Sequence, residues 1–351
     1  RFRPHQRRIE RIIQVIDTTR PSGLLTIEYE MARQMEDALT SFKNAKERAT
    51  LVAASLRETG QLLMLGMGAS HAVGRAMEPC YRALGIDAIA LPISEQLASP
   101  LSLHQKTVLI ASQSGESAEV VRWLTSISAT HSIFGLSLDA KSTLALRVTS
   151  LVGAGGPEVA FAATRSLTLT FALHLAVLAE LGISPEASLA AIENPVVSEI
   201  GKALDAFRTV SAVVTSGRIL QGVAEAIALG LMELSRIPAF ALEGGQLRHG
   251  PMEMLGPDVG VILFRAQETG AALVAGMAQS AHSAGSKVIV FDALGEEPIP
   301  NVLTVQLPAA SGLAAIFSIL PNVQRFLLAF AATRVADVGI PRRSSKITRN
   351  E

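Results

Sequence analysis

The sequence predicts an α/β protein made of two tandem copies of one unit. Each copy is a three-layer α-β-α sandwich around a mainly parallel five-stranded sheet, the pair forming a pseudo-twofold repeat. Three observations point there. Short apolar runs alternate with longer stretches of helical period, the pattern of strands buried on both faces and joined by crossover helices. The same order of elements returns at an offset of about 150–155 residues, which explains a chain of 351 residues better than one irregular domain does. Finally, 49% of the residues are hydrophobic but only 4% aromatic, so the apolar mass is aliphatic and suits large sheet cores.

Taken in order, residues 1–22 are basic and end in the turn-rich TTRPSG. Residues 24–57 read as helix, with Met31, Met35, Leu39 and Phe42 at helical spacing. LLMLGMG (62–68) is a strand ending in glycines, followed by the helical AVGRAMEPCYRAL. DAIALPI (87–93), TVLIAS (107–112), SIFGLSL (132–138) and VTSLVGAG (148–155) are the next strands. QSGESAEVVRWLTSIS begins polar and becomes helical, and an apolar helix covers about 163–181. In the second copy AVVTSGR (212–218) is a strand and VAEAIALGLMELS its helix. VGVILF (259–264), KVIVFDA (287–293) and VLTVQLP (302–308) match the third, fourth and fifth strands of the first. The expected division is a basic segment and helix at 1–50, units at 51–182 and 206–338, a linker at 183–205 where Pro185 and Pro195 interrupt the pattern, and a polar tail at 339–351.

Composition excludes several classes. Lys plus Arg is 31 and Asp plus Glu is 31, so no charge excess favours nucleic acid or an anionic membrane. The basic start, with Arg1, Arg3, Arg7, Arg8 and Arg11, is too short for a helix-turn-helix module. The single Cys80 excludes an intrachain disulfide and a cysteine zinc cluster, fits a reducing compartment, and reads as a buried small residue rather than a nucleophile. Mean hydropathy of +0.35 raises the membrane question. The apolar stretch Ser166–Gly182 contains His174 and Glu180, while Ala309–Ala332 is broken by Pro321, Asn322, Gln324 and Arg325. Neither offers about 20 clean apolar residues. The opening RFRPHQRRIERI has no apolar run after it and is no signal peptide; without an initiator Met the chain reads as processed or trimmed. The expectation is a soluble, cytoplasmic protein.

Three motifs bear chemistry. SQSGES, Ser112 to Ser117, lies where a strand hands over to a helix, at the sheet edge where open α/β folds bind ligands. Ser112, Ser114 and Ser117 offer hydroxyls, Gln113 an amide, and Gly115 a permissive backbone. With the amides of the following helix they form a cradle for a phosphate dianion. It holds no Lys, so it is no Walker loop; an ordinary serine-rich N-cap turn fits the spacing equally well. GMGAS, Gly66 to Ser70, opens like a dinucleotide fingerprint, but His71 stands where a glycine is required and Asp87 precedes a strand instead of ending one. A nicotinamide cofactor is disfavoured, and Ser70 serves better as another hydroxyl beside the phosphate. In GGQLRHGPMEML (244–255), His249 sits in a glycine-flanked polar loop and is the histidine best suited to acid–base work. His174 and His282 lie in helical runs and read as structural; His5, His104 and His131 read as surface, and His71 is left open. Glu233 lies in the apolar run IALGLMELSRI, where burial would raise its pKa and suit a proton shuttle; a solvent-facing helix residue is the alternative.

Together these residues resemble the sugar isomerase (SIS) family over about residues 27–351. SQSGES resembles the family's SQSGE[ST] phosphate loop, GMGAS its GxGTS, GPEVAFAATRSLT (156–168) its E-x-G-V-A-S-T-K-A-F-T segment, GQLRHGP its ELKHGP and SSKITRNE its A-K-S-V-T-V-E tail. The layout is similar to the isomerase half of glucosamine-6-phosphate synthase and to stand-alone amino-sugar-phosphate deaminases and deglycases. The resemblance implies flavodoxin-like units. It implies that Ser70, Ser112, Gln113, Ser114 and Ser117 bind a sugar phosphate, and that Glu233 moves a proton between sugar C1 and C2. It further implies that His249 opens the ring from a neighbouring subunit, making a homodimer with shared sites, and that Lys346 in a site-closing tail reaches the open-chain substrate. No metal or redox cofactor is implied.

Departures fall near the sugar. Ala69 replaces the Thr of GxGTS, Phe161 and Ala163 replace smaller or hydroxyl residues of the V-A-S-T-K segment, and Gly230 replaces the synthase's lysine three positions before the glutamate. These imply altered sugar recognition around Ala69, Phe161 and Ala163. No glutaminase domain fits ahead of residue 27, which disfavours transfer from glutamine. The leading expectation is isomerisation coupled to deamination, glucosamine 6-phosphate giving fructose 6-phosphate and ammonia. The alternatives are a phosphofructosyl-amino-acid deglycase, to which Glu253 of HGPME points mildly, and a non-catalytic sugar-phosphate sensor.

Overall fold

The computed structural model describes residues 20–127 and 132–349. The N-terminal arginines, His5, His131 and the last two residues lie outside the described residues. Where the sequence predicts one helix over 24–57 there are two, α1 (Ser22–Asn44) and α2 (Lys46–Thr59). The join is Ala45, whose amide is shared between the carbonyls of Ser41 (3.1 Å) and Phe42 (3.3 Å).

The first sheet follows, with β1 (Gln61–Gly66), α3 (Ala69–Arg82), β2 (Asp87–Pro92), α4 (Ile93–Ala98), β3 (Thr107–Ala111), α5 (Ala118–Ser126), β4 (Ser132–Ser137), α6 (Thr143–Arg147) and β5 (Thr149–Val152). Then come α7 (Arg165–Glu180), α8 (Glu186–Glu193) and α9 (Gly201–Ala206), so the segment expected as a linker is partly helical. The second sheet comprises β6 (Ala212–Ser216), α10 (Gln221–Ser235), β7 (Ala239–Ala241), α11 (Gly244–Arg248), β8 (Val259–Ala266), α12 (Ala271–Ser283), β9 (Lys287–Ala293) and β10 (Leu303–Gln306). Helix α13 (Gly312–Ala332) ends the regular structure.

The strand orders are β2-β1-β3-β4-β5 and β7-β6-β8-β9-β10, the same order twice, and every pairing is parallel. The order reverses between β1 and β3, and again between β6 and β8, so each sheet has one crevice at its C-terminal edge suited to a ligand. Strand β7 has only three residues and no motif announces it.

Helices α7 and α13 fill the interior. By length and composition α13 could cross a membrane, with mean hydropathy 1.6, yet 83% of that window is buried within the protein. The polar residues that interrupt its apolar run have internal partners. Asn322 donates to Val196 O (2.8 Å) and accepts from Ser198 N (2.8 Å), Arg325 donates to Ser198 O (3.0 Å), and Gln324 donates to Thr164 O (3.1 Å). Asn322 and Arg325 tie the joint between the copies to the core, and Gln324 ties in the segment before α7.

Two packing features set up the site. Arg165, wholly buried, pairs with Glu30 (2.6 Å) and Asp37 (3.0 Å) of α1 and donates to Ala154 O and Gly156 O (3.0 and 2.7 Å). It thus fixes the 154–165 segment against the first helix. Helix α10 of the second copy approaches α3 of the first backbone to backbone: a Cβ on Gly222 would lie 2.1 Å from Ala76 N. Only glycine permits that approach.

Candidate active site

The serine loop turns tightly from β3 into α5. Gly115 has φ +61°, and a Cβ there would lie 2.3 Å from Ser142 Oγ, so both conformation and space demand glycine. Gly115 N donates to Ser112 O and Oγ (both 3.1 Å), and Glu116 N donates to Ser114 Oγ (3.2 Å). The Glu116 carboxylate accepts from Thr143 N (2.6 Å) and Oγ1 (3.2 Å), a structural tie to α6. Ser117 occupies the N-cap of α5 without its hydroxyl capping the helix. This departs from an ordinary N-cap turn, and Ser117 lines a cavity of about 330 Å³.

Ser70, Ser112, Gln113, Ser114, Ser117, Ala69, Phe161, Ala163, Glu233 and Lys346 all line this one cavity. Ala69 and Ser70 come from the first turn of α3, and Phe161 and Ala163 from the segment before α7. Glu233 comes from α10, one turn after Leu229, against which the GMGAS turn packs: a Cβ on Gly68 would lie 3.5 Å from Leu229 Cδ2. Gly230 faces Leu327, so the place of the synthase's lysine is filled from α13.

Glu233 is half-buried, and burial pushes its carboxyl up to about 7; the Lys346 charge opposes this and the Glu158 charge adds to it. Lys346 Nζ lies 2.9 Å from Glu158 Oε2. Glu158 is buried and also accepts from Thr164 N (3.0 Å), Thr164 Oγ1 (3.1 Å), Ser166 N (3.2 Å) and Ser166 Oγ (2.6 Å). Burial alone would raise its pKa, but the Lys346 charge and these hydrogen bonds outweigh it and hold the carboxyl below its ordinary value. An ionised Glu158 therefore fixes the Lys346 ammonium at the cavity wall.

The tail reaches this wall by anchored steps. Arg236, left-handed at φ +56° at the end of α10, pairs with Asp337 (2.6 Å) and donates to Ile340 O (2.9 Å). Ala118 N of α5 donates to Thr348 O (2.9 Å). The helix bearing Glu233 and the helix after the serine loop therefore both hold the tail.

His249 does not line this cavity. It is exposed at the C-terminal end of α11, whose N-terminus is capped by Glu243 through Gly245 N (2.7 Å) and Gln246 N (3.2 Å). His174 is buried and bonded to the Tyr81 hydroxyl (2.9 Å), and burial lowers its pKa to about 3, so it is a neutral core group. Burial pushes the Cys80 thiol up to about 11, which suits a packing residue and not a nucleophile. Sequence reasoning missed Glu158 and Ser166, although both stand inside GPEVAFAATRSLT. It also missed Glu119, a buried cavity-lining carboxylate whose Oε2 has no partner among the described residues.

No protein-family model matches the chain. It is 26% identical over 319 residues to a glutamine–fructose-6-phosphate aminotransferase [isomerizing] of Lactiplantibacillus plantarum, covering 83% of this chain and 52% of that protein. The chain thus spans about half the length of this curated relative. Among solved structures it is similar to the C-terminal domain of glucosamine-fructose-6-phosphate aminotransferase from Francisella tularensis, with TM-score 0.76, 18% identity, and coverage of 90% of this chain and 98% of that one. It is also similar to glucosamine-6-phosphate deaminase from Thermotoga maritima, with TM-score 0.69, 19% identity, and coverage of 93% and 99%. With two five-stranded parallel sheets in the same strand order, this chain has the sugar isomerase (SIS) fold.

Proposed function

We propose that this chain is an enzyme acting on an amino-sugar or ketosamine 6-phosphate, moving a proton between C1 and C2 and releasing the nitrogen. The observation that carries this reading is the convergence, on one cavity, of the serine loop, a carboxyl poised near neutrality and a lysine fixed by a buried carboxylate. A hydroxyl-lined helix start binds a phosphate dianion without lysine. A carboxyl that titrates near pH 7 accepts a proton from carbon and returns it with little bias either way.

In the simplest case the ring of glucosamine 6-phosphate opens, and Glu233 removes the C2 proton and returns it at C1. The nitrogen is left as a C2 imine. Water adds its oxygen to C2, the C–N bond breaks, and fructose 6-phosphate and ammonia leave. Lys346 stands where its charge stabilises the enolate-like intermediate. His249 opens the ring from a second subunit. The exposed Phe240, Met254 and Leu273, on β7, on the turn after His249 and on α12, supply apolar surface for that contact. A second reading, hydrolysis of a phosphofructosyl-amino acid, uses the same proton transfer and is favoured by a further groove beside Lys346.

The test is incubation with glucosamine 6-phosphate, with ammonia and fructose 6-phosphate followed together. Equimolar release is expected. Mixing inactive Glu233→Gln and His249→Ala proteins should restore up to about a quarter of the activity through hybrid dimers with one intact site. No turnover of any amino-sugar or ketosamine 6-phosphate would remove the reading. No recovery on mixing would remove the shared site.

A further inference from the structure

A second cavity, of about 430 Å³, adjoins the serine-lined one. It lies between the start of α1 (Ser22, Thr26), Val159 and Ala160, and the tail residues Ile340 and Pro341. Among the described residues only Phe161 and Lys346 line both cavities. The chain passes from one to the other at Phe161, since Ala163 and Ser166 beyond it line the first. The tail does the same at Lys346, with Ser344 and Ser345 on the side of the first cavity.

This partition is held firmly. Val159 N donates to Glu30 Oε1 (2.8 Å) and Thr164 N to Glu158 Oε1 (3.0 Å), which pins the backbone on both sides of Phe161. Ala160 and Ala162 are buried, while Phe161 keeps exposed surface, so its ring stands at the cavity boundary. Glu158 holds the Lys346 ammonium at 2.9 Å. The wall therefore stands beside the lysine assigned to the reacting carbons.

We infer that Phe161 is a specificity-determining residue: its ring ends the first cavity beside the substrate's nitrogen and excludes amino-sugar phosphates whose nitrogen carries an acyl chain. The inference rests on the proposed function, in which the C2 nitrogen must become an imine before it leaves. An acyl nitrogen shares its lone pair with its own carbonyl and resists that step. An N-acyl sugar phosphate that filled the site would block it without reacting. A fixed aromatic wall rejects the acyl chain by overpacking and still admits the free amine. Without the ring, the chain would extend into the second cavity, where Val159, Ala160, Ile340 and Pro341 offer apolar wall.

The experiment is calorimetric binding to Glu233→Gln protein, in which the proposed proton transfer is blocked, with and without Phe161→Ala. The ligands are glucosamine 6-phosphate and its N-formyl and N-butanoyl derivatives. The two amides are alike in charge and differ only in chain length. With Phe161 present, overpacking predicts that the N-formyl derivative binds about tenfold to a hundredfold more tightly than the N-butanoyl one. In Phe161→Ala that ratio should fall to about one. Phe161→Val should give a ratio between the two, which keeps the test decisive if the alanine variant does not fold. A ratio near one with Phe161 present, as when the chain turns into the groove beside Lys346 instead, overturns the inference. So does a ratio that survives both substitutions. In either case binding of glucosamine 6-phosphate leaves the proposed function standing. Binding of none of the three ligands overturns both.

Discussion

The two sheet edges share a topology and differ in what they can hold. Before α5 the first copy carries Ser112–Ser117, with hydroxyls and a glycine turn against a cavity. Before α12 the second copy carries Arg265–Gly270, reading RAQETG, and β8 runs into it for two residues. There Arg265 is buried and donates to Asp292 (Nε, 2.9 Å), so its charge is consumed internally. Glu268 stands where a phosphate would need a donor, and burial pushes its carboxyl up to about 7. The repeated topology gives two crevices, but among the described residues only the first carries the hydroxyls and glycine turn that we propose hold an anion. The second copy contributes differently, by lending helix α10 and Glu233 to the first copy's cavity. Glu233 and Glu268 have alike raised pKa values from the same cause. A raised pKa alone therefore does not tell the two apart; Glu233 differs in its neighbours, Lys346 and Glu158.

That contrast can be broken in several places. The largest stability effect is expected at the first edge. Arg165→Met leaves buried Glu30 without its cation and Asp37 with Arg33 alone (2.8 Å), and should cost about 3–5 kcal/mol in denaturant unfolding. Activity should fall further than stability explains, because the segment that Arg165 fixes carries Phe161 and Ala163. An unchanged unfolding midpoint would refute the role given to that network.

Next comes the seam between the copies. Gly222→Ala drives a Cβ into Ala76 N and should cost about 1–3 kcal/mol by overpacking. It should also raise KM for substrate, since α10 must withdraw from α3. Retention of both stability and KM would show that the halves are not held by that approach.

The second edge should respond oppositely. Glu268 has a folded pKa raised above its unfolded value, so its stabilising contribution is full below about pH 4.5 and is lost as pH rises through about 7. Glu268→Gln should therefore stabilise the protein at pH 8 by about 1 kcal/mol, allowing for partial exposure. Destabilisation there would contradict its burial without a partner for Oε1.

Another effect is expected in acid. Buried neutral His174 has a pKa lowered to about 3, so the unfolded chain binds a proton that the folded one does not. Stability should fall by about 1.4 kcal/mol for each pH unit below about 6.5, seen in melts from pH 7 to 5. His174→Gln should flatten that slope, and an unaltered slope would assign it elsewhere.

Most of the fold was legible because parallel strands are apolar on both faces and end in glycine or serine turns. The repeat followed from the spacing of those runs. Strand β7 was not legible, since AFA is too short to show a period. Nor was the break at Ala45, which involves neither Pro nor Gly. In the site, Ser112–Ser117 and Glu233 stood out as local patterns. Glu158 did not, because what gives it meaning is Lys346, 188 residues away. No local signal reports a contact of that range. The resemblance brought Lys346 forward but left its partner unnamed. His249 was legible as a reactive type in a polar loop, while its place outside this chain's own cavity could come only from the fold.

The most direct measurement sets the two raised carboxyls against each other. Glu233→Gln and Glu268→Gln are purified alongside the wild type, and the initial rate of product formation from glucosamine 6-phosphate is followed from pH 6 to 9. Loss of a group that transfers the proton should lower kcat for Glu233→Gln by about 10²–10⁴-fold. The wild-type rate should rise as pH passes through about 7, where Glu233 ionises. Glu268→Gln should stay within about twofold of wild type and keep the same profile. Equal losses in the two variants, or wild-type activity in Glu233→Gln, would contradict the account.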